Sequence, residues 1–260
     1  MNYIFVFLLV SMLPLWVTAQ QTDGTDQPDI TGDWVRIGPA GPFALHFKTN
    51  GMVEGDFGND QTIEIVSSYN IEGDQVTFHD REGVTCPEAG IYRVYVTDYY
   101  MALDLIGDDC AGRLRSTMGF WVRPEFNDLL AELSGKIDDS ADPVDYLNRA
   151  RMLMAIGEPD RARQDFDRYI EHDSTDARVY VNRAGARMPG DLQGVVEDCN
   201  KAISLEPDNK NACFLLGLAL YGLGREEEAC AEFYRAIELG FTVLKEAEYE
   251  RCSTYWESMQ

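Results

Sequence analysis

The chain has 260 residues, 45% of them apolar and 26% charged, with a formal net charge of −23. So acidic a surface repels nucleic acid and anionic membranes. A chain of this length is enough for two modest domains, roughly 100–150 residues each.

Residues 4–13 are almost wholly apolar, Pro14 breaks the run, and Val17-Thr18-Ala19 offers compact residues at a cleavage position. Residues 1–19 therefore read as a secretory signal peptide, cleaved before Gln20. The apolar run is about fourteen residues, short of the roughly twenty needed to span a bilayer. The expected location is secreted or periplasmic, with no membrane insertion after cleavage. Residues 20–29 are polar and read as a disordered lead-in.

Residues 30–124 carry strand signals. Phe43, Leu45 and Phe47 alternate with Ala44, His46 and Lys48; Val76 and Phe78 alternate with Thr77 and His79; Met101, Leu103 and Leu105 alternate with Ala102, Asp104 and Ile106. Period-two alternation marks sheets with one buried face. Thr49-Asn50-Gly51, Glu72-Gly73-Asp74 and Gly107-Asp108-Asp109 supply turns. With no helical pattern between the strands, an antiparallel meander closed into a barrel or sandwich is expected. Tyr92, Tyr95, Tyr99 and Tyr100 are candidates to line a cavity, against ordinary strand packing. His79-Asp80 and Asp108-Asp109 lack metal-ligand spacing and read as turn residues.

Gly32-Asp33-Trp34 resembles the Gly-x-Trp opening of lipocalin-like barrels, and Arg123, closing Gly119-Phe120-Trp121-Val122-Arg123, resembles the arginine that packs over that tryptophan. The segment is also similar to short lipocalin-like domains of exported bacterial proteins. The resemblance implies that Trp34 and Arg123 close one barrel end. It also implies an abbreviated barrel that holds, at most, a small apolar ligand.

Residues 125–142 read as a linker with one short helix, ended by Ser134-Gly135 and the solvated run Asp138-Asp139-Ser140-Ala141-Asp142. From Pro143 a rhythm of about thirty-four residues begins, matching the period of two-helix repeat units. Asp142 suits a helix N-cap and Pro143 the first helical position. Three units follow, 143–176, 177–209 and 210–241, each of two short amphipathic helices. The units resemble tetratricopeptide repeats, carried by small residues Ala150, Ala184 and Gly217 at the eighth position. Ala162 and Ala229 support it near the twentieth, Phe166 and Phe233 at the twenty-fourth, and Ala202 and Ala236 at the twenty-seventh. Cys199 stands at the twenty-fourth position of the middle unit, Val195 and Tyr169 depart from the pattern, and the middle unit is one residue short around Met188-Pro189-Gly190. Residues 242–260 read as a capping helix and tail.

The tetratricopeptide resemblance implies a concave groove lined by Val144, Leu147, Arg151, Met154, Arg178, Val181, Gly185, Met188, Asn211, Phe214, Leu218 and Tyr221. A water-exposed apolar stripe of that extent is the signature of a contact surface. The expected partner is a protein or peptide. The alternative is that the β domain, the linker helix or the capping helix of the same chain fills the groove.

Six cysteines in an exported chain suggest disulfides. Cys86 and Cys110 share the β half and pair with each other. Cys230 and Cys252 match in height about the Gly240 turn within roughly 3 Å, and Cys199 and Cys213 about the Pro207 turn within about 2 Å; Cys213 with Cys230 misses by roughly 9 Å. For Cys199 and Cys213, free buried thiols at core positions are the competing expectation.

No Gly-x-Ser-x-Gly, His-Glu-x-x-His, phosphate loop or Cys-x-x-Cys is present, and His46, His79 and His172 are scattered. No catalytic residue, metal site or cofactor is therefore expected. Two functions remain: an interaction module working through the helical groove, or a barrel carrier of a small apolar ligand with the helical array as its mount.

Overall fold

The computed structural model describes residues 27–38, 41–83, 86–241 and 246–257. The expected signal peptide, residues 20–26 and the first residues of the expected capping helix lie outside them.

Among the described residues, eight strands form one antiparallel sheet in sequence order: β1 (Gly32–Gly38), β2 (Gly41–Phe47), β3 (Met52–Phe57), β4 (Ile65–Glu72), β5 (Gln75–Glu82), β6 (Gly90–Val96), β7 (Met101–Gly107) and β8 (Gly119–Trp121). The sheet curls back on itself: Val35 donates to the Val122 carbonyl at 2.7 Å and Val122 donates back to Val35 at 2.9 Å. That reciprocal pair joins the two edges and leaves a near-closed barrel. The alternation works as elementary stereochemistry requires. Phe43, Leu45, Phe47, Val76, Phe78, Leu103 and Leu105 share one inward-facing apolar cluster with Trp34, Tyr92 and Trp121. No helical pattern is legible in this half, yet α1 (Ala111–Thr117) interrupts the meander between β7 and β8. At seven residues it is too short to show helical periodicity.

Trp34 lies 1% exposed, its indole donating to the Ile30 carbonyl at 2.9 Å, and the Arg123 guanidinium stacks 3.7 Å above its ring centre. Arg123 Nη1 also donates to the Thr31 carbonyl at 2.9 Å. Gly32 explains the first letter of the motif. Its φ is +97°, a backbone conformation that favours glycine, and a Cβ there would lie 2.8 Å from the end of the Arg123 side chain.

Helices follow: α2 (Phe126–Ser140), α3 (Pro143–Ala155), α4 (Pro159–His172), α5 (Ala177–Arg187), α6 (Leu192–Leu205), α7 (Lys210–Gly222), α8 (Glu226–Glu238) and α9 (Glu246–Glu257). The expected solvated linker is corrected here. The α2 helix runs through Asp138, Asp139 and Ser140, because Leu130, Leu133 and Ile137 form an apolar stripe that is buried. Asp142, Asp176, Asp191 and Asn209 each cap the helix that follows by accepting a backbone N–H. Small residues let paired helices approach. A Cβ on Gly217 would stand 2.5 Å from the Phe233 ring, which fixes glycine at that point of the α7–α8 hairpin.

The barrel's outer face is also buried where it meets the helices. Val35, Ala44, Tyr100, Ala102 and Val122 share a cluster with Leu130, Leu133, Leu147, Leu153 and Phe166. The two halves therefore share a dry interface.

Candidate functional site

The concave face of the helical array is partly occupied by the barrel. Arg151 reaches the Tyr100 hydroxyl, and its guanidinium lies 5.4 Å from the Tyr100 ring centre and 5.9 Å from that of Phe120. Farther along, Lys210 Nζ approaches the Ile106 carbonyl at 3.4 Å. The barrel thus meets α3 through β1, β8 and Tyr100, the residue before β7, and reaches α7 through Ile106 of β7.

The expected groove residues divide accordingly. Leu147 is buried, and Met154 packs against the barrel–helix cluster. Phe214 stacks on Phe241, ring centres 4.2 Å apart, and packs against the cluster that includes the barrel interior. Val181, Met188 and Leu218 are half-buried among helical neighbours, while Asn211 and Gly185 are partly covered. Arg178 is exposed and pairs with Asp176 at 3.0 Å. Val144 stays 50% exposed and Tyr221 36% exposed, at the two ends of the array. The structure does not unite the twelve into one open apolar trough.

The barrel holds the clearer site. One end of its interior is a cavity of about 390 Å³. Phe43, Leu45, Val53, Ile65 and Phe78 form its apolar wall, and Gly112, Arg113, Ser116 and Thr117 of α1 lie over it. It reaches solvent beside exposed Phe57 and Glu64. Strand register puts Trp34 opposite Leu45 and Phe47 opposite Val53, so the cavity runs from its mouth at Phe57 back to the strand level of the Trp34–Arg123 stack. The cavity lies at the lower edge of the size range of small-molecule pockets, roughly 300–1,000 Å³.

A buried charged network borders it. Arg113 forks onto Asp108, Nε to Oδ2 at 2.6 Å and Nη2 to Oδ1 at 2.8 Å, and donates to the Glu88 carbonyl at 2.8 Å. Arg113 Nη1 lies 3.1 Å from Asp80 Oδ2. Tyr92 donates to Asp108 at 2.5 Å. Burial, together with that bond, pushes the Tyr92 hydroxyl well above the ordinary tyrosine range. Asp80 further accepts from the Ser67 hydroxyl at 2.9 Å and from the Cys86 N–H at 3.0 Å. Asp80 and Asp108, read from sequence as turn residues, are interior. Their partner Arg113 sits in the helix that sequence patterning missed. Of the four tyrosines, Tyr92 faces inward, Tyr100 faces the helices, Tyr95 is exposed and Tyr99 meets Lys136. The Cys86–Cys110 disulfide, Cα atoms 6.0 Å apart, ties the β5–β6 connection to the start of α1 beside the cavity.

The second disulfide joins Cys230 to Cys252, Cα atoms 5.3 Å apart, and fastens α9 to α8. Cys199 and Cys213 are free thiols, which corrects the expectation that they bridge. Equal height along two helices is necessary for a disulfide but does not aim the two Cβ atoms at each other. Burial raises both thiols, Cys199 to about 12 and Cys213 to about 11.

Residues 211–239 match the tetratricopeptide repeat family. The third hairpin fits that repeat. Tetratricopeptide repeat protein 36 of Xenopus tropicalis is 37% identical over 75 residues, covering 27% of this chain and 37% of that protein. The chain thus matches well under half the length of that relative. Among solved structures, MamA protein aligns with 21% identity over 52% of this chain and 74% of its own, with a TM-score of 0.46. The second repeat domain of Spaghetti (RPAP3), bound to the HSP90 peptide SRMEEVD, aligns with 24% identity over 40% of this chain and 98% of its own, with a TM-score of 0.37.

Proposed function

We propose that this chain is a binding protein without catalytic chemistry, in which a lipocalin-like barrel holds a small apolar ligand and the tetratricopeptide-like array is its mount. The single observation that carries this reading is the apolar cavity inside β2–β5, set against a concave helical face already contacted by β7. The Arg123–Trp34 stack, with Gly32 at a positive φ beside it, supports the lipocalin-like assignment of the barrel. An exported location is part of the proposal. It rests on the leader-like residues 4–19 and on two disulfides, which persist in oxidising compartments.

The test uses N-phenyl-1-naphthylamine, a neutral apolar dye that fluoresces on leaving water. The wild-type chain should enhance its emission saturably, with one site. Ile65→Trp, at the cavity wall, should abolish the enhancement while thermal unfolding stays near wild type. Enhancement unchanged by Ile65→Trp would remove the cavity from consideration.

A second reading keeps a protein or peptide partner for the helical half. The repeat-family match over residues 211–239 favours it, as do exposed Tyr221 and Val144 at the ends of the array. On this reading the partner meets the array beyond the barrel's footprint.

A further inference from the structure

We infer that the Cys86–Cys110 disulfide is a redox latch on the barrel cavity, so that a dithiol reductant releases the ligand by untying α1; this deepens the carrier reading and rests on it. The latch sits on the cavity itself. Cys110 is one of the lining residues, and the α1 residues Gly112, Arg113, Ser116 and Thr117 continue the same wall. Its partner Cys86 follows the end of β5, whose Phe78 and Asp80 also line the cavity. The bridge therefore joins two segments that bound the same space.

Polar contacts run alongside it. The Cys86 N–H donates to Asp80 at 3.0 Å, the Cys110 N–H donates to Asp108 at 2.8 Å, and Arg113 of α1 reaches both acids. The disulfide thus fixes the backbone on both sides of the ion pairs that hold α1 in place. The other end of α1 is held separately, by the Trp121 indole donating to the Thr117 carbonyl at 2.9 Å. Opening the bridge loosens the Cys110 end while the Thr117 end stays attached, which is the motion of a flap and leaves the sheet intact.

Access separates this bridge from the other. Cys86 and Cys110 are both partly exposed. Cys230 and Cys252 are 7% and 2% exposed, within the cluster that packs α9 on α8. Thiol–disulfide exchange needs a thiolate to reach a disulfide sulfur, so the more exposed bridge reacts first. One thiolate of the dithiol attacks a sulfur of the Cys86–Cys110 bond and the other sulfur leaves as a thiolate. The second thiol then resolves the mixed disulfide. Two electrons and two protons pass to Cys86 and Cys110, which end as thiols, and the reductant ends as its own disulfide. Linkage makes the effect reciprocal: if a closed α1 retains the ligand, the ligand retains a closed α1 and shields the bridge.

The test uses the full chain, N-phenyl-1-naphthylamine as the ligand probe and dithiothreitol as the dithiol. Dithiothreitol is raised until alkylation and intact mass show one bridge open, and peptide mapping should place both labels on Cys86 and Cys110. Dye dissociation by stopped flow should then be at least about fivefold faster than from the oxidised chain. Cys86→Ser/Cys110→Ser should match that rate without reductant, and Cys230→Ser/Cys252→Ser should keep the wild-type rate. Saturating dye should slow the opening of the Cys86–Cys110 bridge. Hydrogen exchange reads the flap without a ligand: amides of residues 111–117 should exchange at least about fivefold faster once the bridge is open, while those of α7 and α8 do not change. Unchanged exchange at 111–117, unchanged dye dissociation, first reduction at Cys230–Cys252, or an equal acceleration in Cys230→Ser/Cys252→Ser each overturns the latch and leaves the carrier reading standing. Failure of the oxidised wild-type chain to bind the dye removes the carrier reading, and the latch with it.

Discussion

Glu232 stands where the first two helical hairpins each place an aspartate against an arginine. In the first, Arg149 forks onto Asp165 at 2.8 Å by both nitrogens. In the second, Arg183 meets Asp198 and also Asp167 at 2.7 Å. The same register in the third hairpin falls on Leu216 and Glu232, so the acid remains and the arginine is gone. One carboxylate oxygen, Oε2, is buried without a hydrogen-bond partner. A buried, unsatisfied polar group costs roughly 1–3 kcal/mol. Because Glu232 is only half-buried, the lower end applies, about 1 kcal/mol. Glu232→Met, which fills similar volume without the orphan oxygen, should therefore raise the melting temperature by about 2–4 °C at pH 8.

The pH dependence gives a sharper check. Burial lifts the Glu232 carboxyl above its ordinary 4.5, with Arg235 on its own helix and the Cys213 thiol of α7 pulling it partly back. Burial also raises Cys199 of α6, with smaller contributions from the charges of its neighbour Asp198, Cys213 and Glu232, so the acid, both thiols and Asp198 form one neighbourhood. An acid raised in the folded state binds its proton more tightly there than in the unfolded chain. Below about 4.5 both states are protonated and the penalty is absent; as pH rises through the folded value the penalty appears. The advantage of Glu232→Met should be present at pH 8 and shrink toward zero near pH 4. Differential scanning fluorimetry at both pH values measures it. A variant less stable than wild type at pH 8, or an advantage equal at both, would refute the orphan-carboxylate argument.

Two further outcomes are expected. Each disulfide closes a loop of about the same length, with sequence separations of 24 and 22, so each should contribute about 3 kcal/mol. Full reduction should then lower the melting temperature by several degrees, with Cys230→Ser/Cys252→Ser reproducing only the share due to α9; an unchanged melt contradicts both bridges. Cys199 and Cys213, buried and with thiols raised to about 12 and about 11, should resist iodoacetamide at pH 8 in the native chain and react after denaturation, as read by intact mass. Rapid native labelling would place them outside the core.

The helical half was legible because its signals are local. The cap at Asp142, and small residues such as Ala150, Ala184 and Gly217, constrain neighbours a few residues away. A two-helix repeat shows the same constraint three times. The inward alternation of β2, β5 and β7 was legible for a similar reason: it repeats every second residue. The length of α2 was misread because polar Asp138, Asp139 and Ser140 hid a stripe whose last member, Ile137, lies just before them. The α1 helix left no pattern to read, and with it Arg113 went unassigned.

By itself, then, the sequence determined the strand faces, the hairpin rhythm, the Gly32–Trp34–Arg123 trio as a unit, and the pairing of Cys86 with Cys110. Tertiary structure alone decided which surfaces were left to bind anything. The groove residues carry the same chemistry whether covered or bare; only the placement of the barrel against α3 and α7 covers part of them. Likewise Asp80, Asp108 and Arg113 are ordinary polar residues until a closed barrel removes water from around them. Burial and charge balance are sums over residues distant in sequence, and no local pattern encodes such a sum.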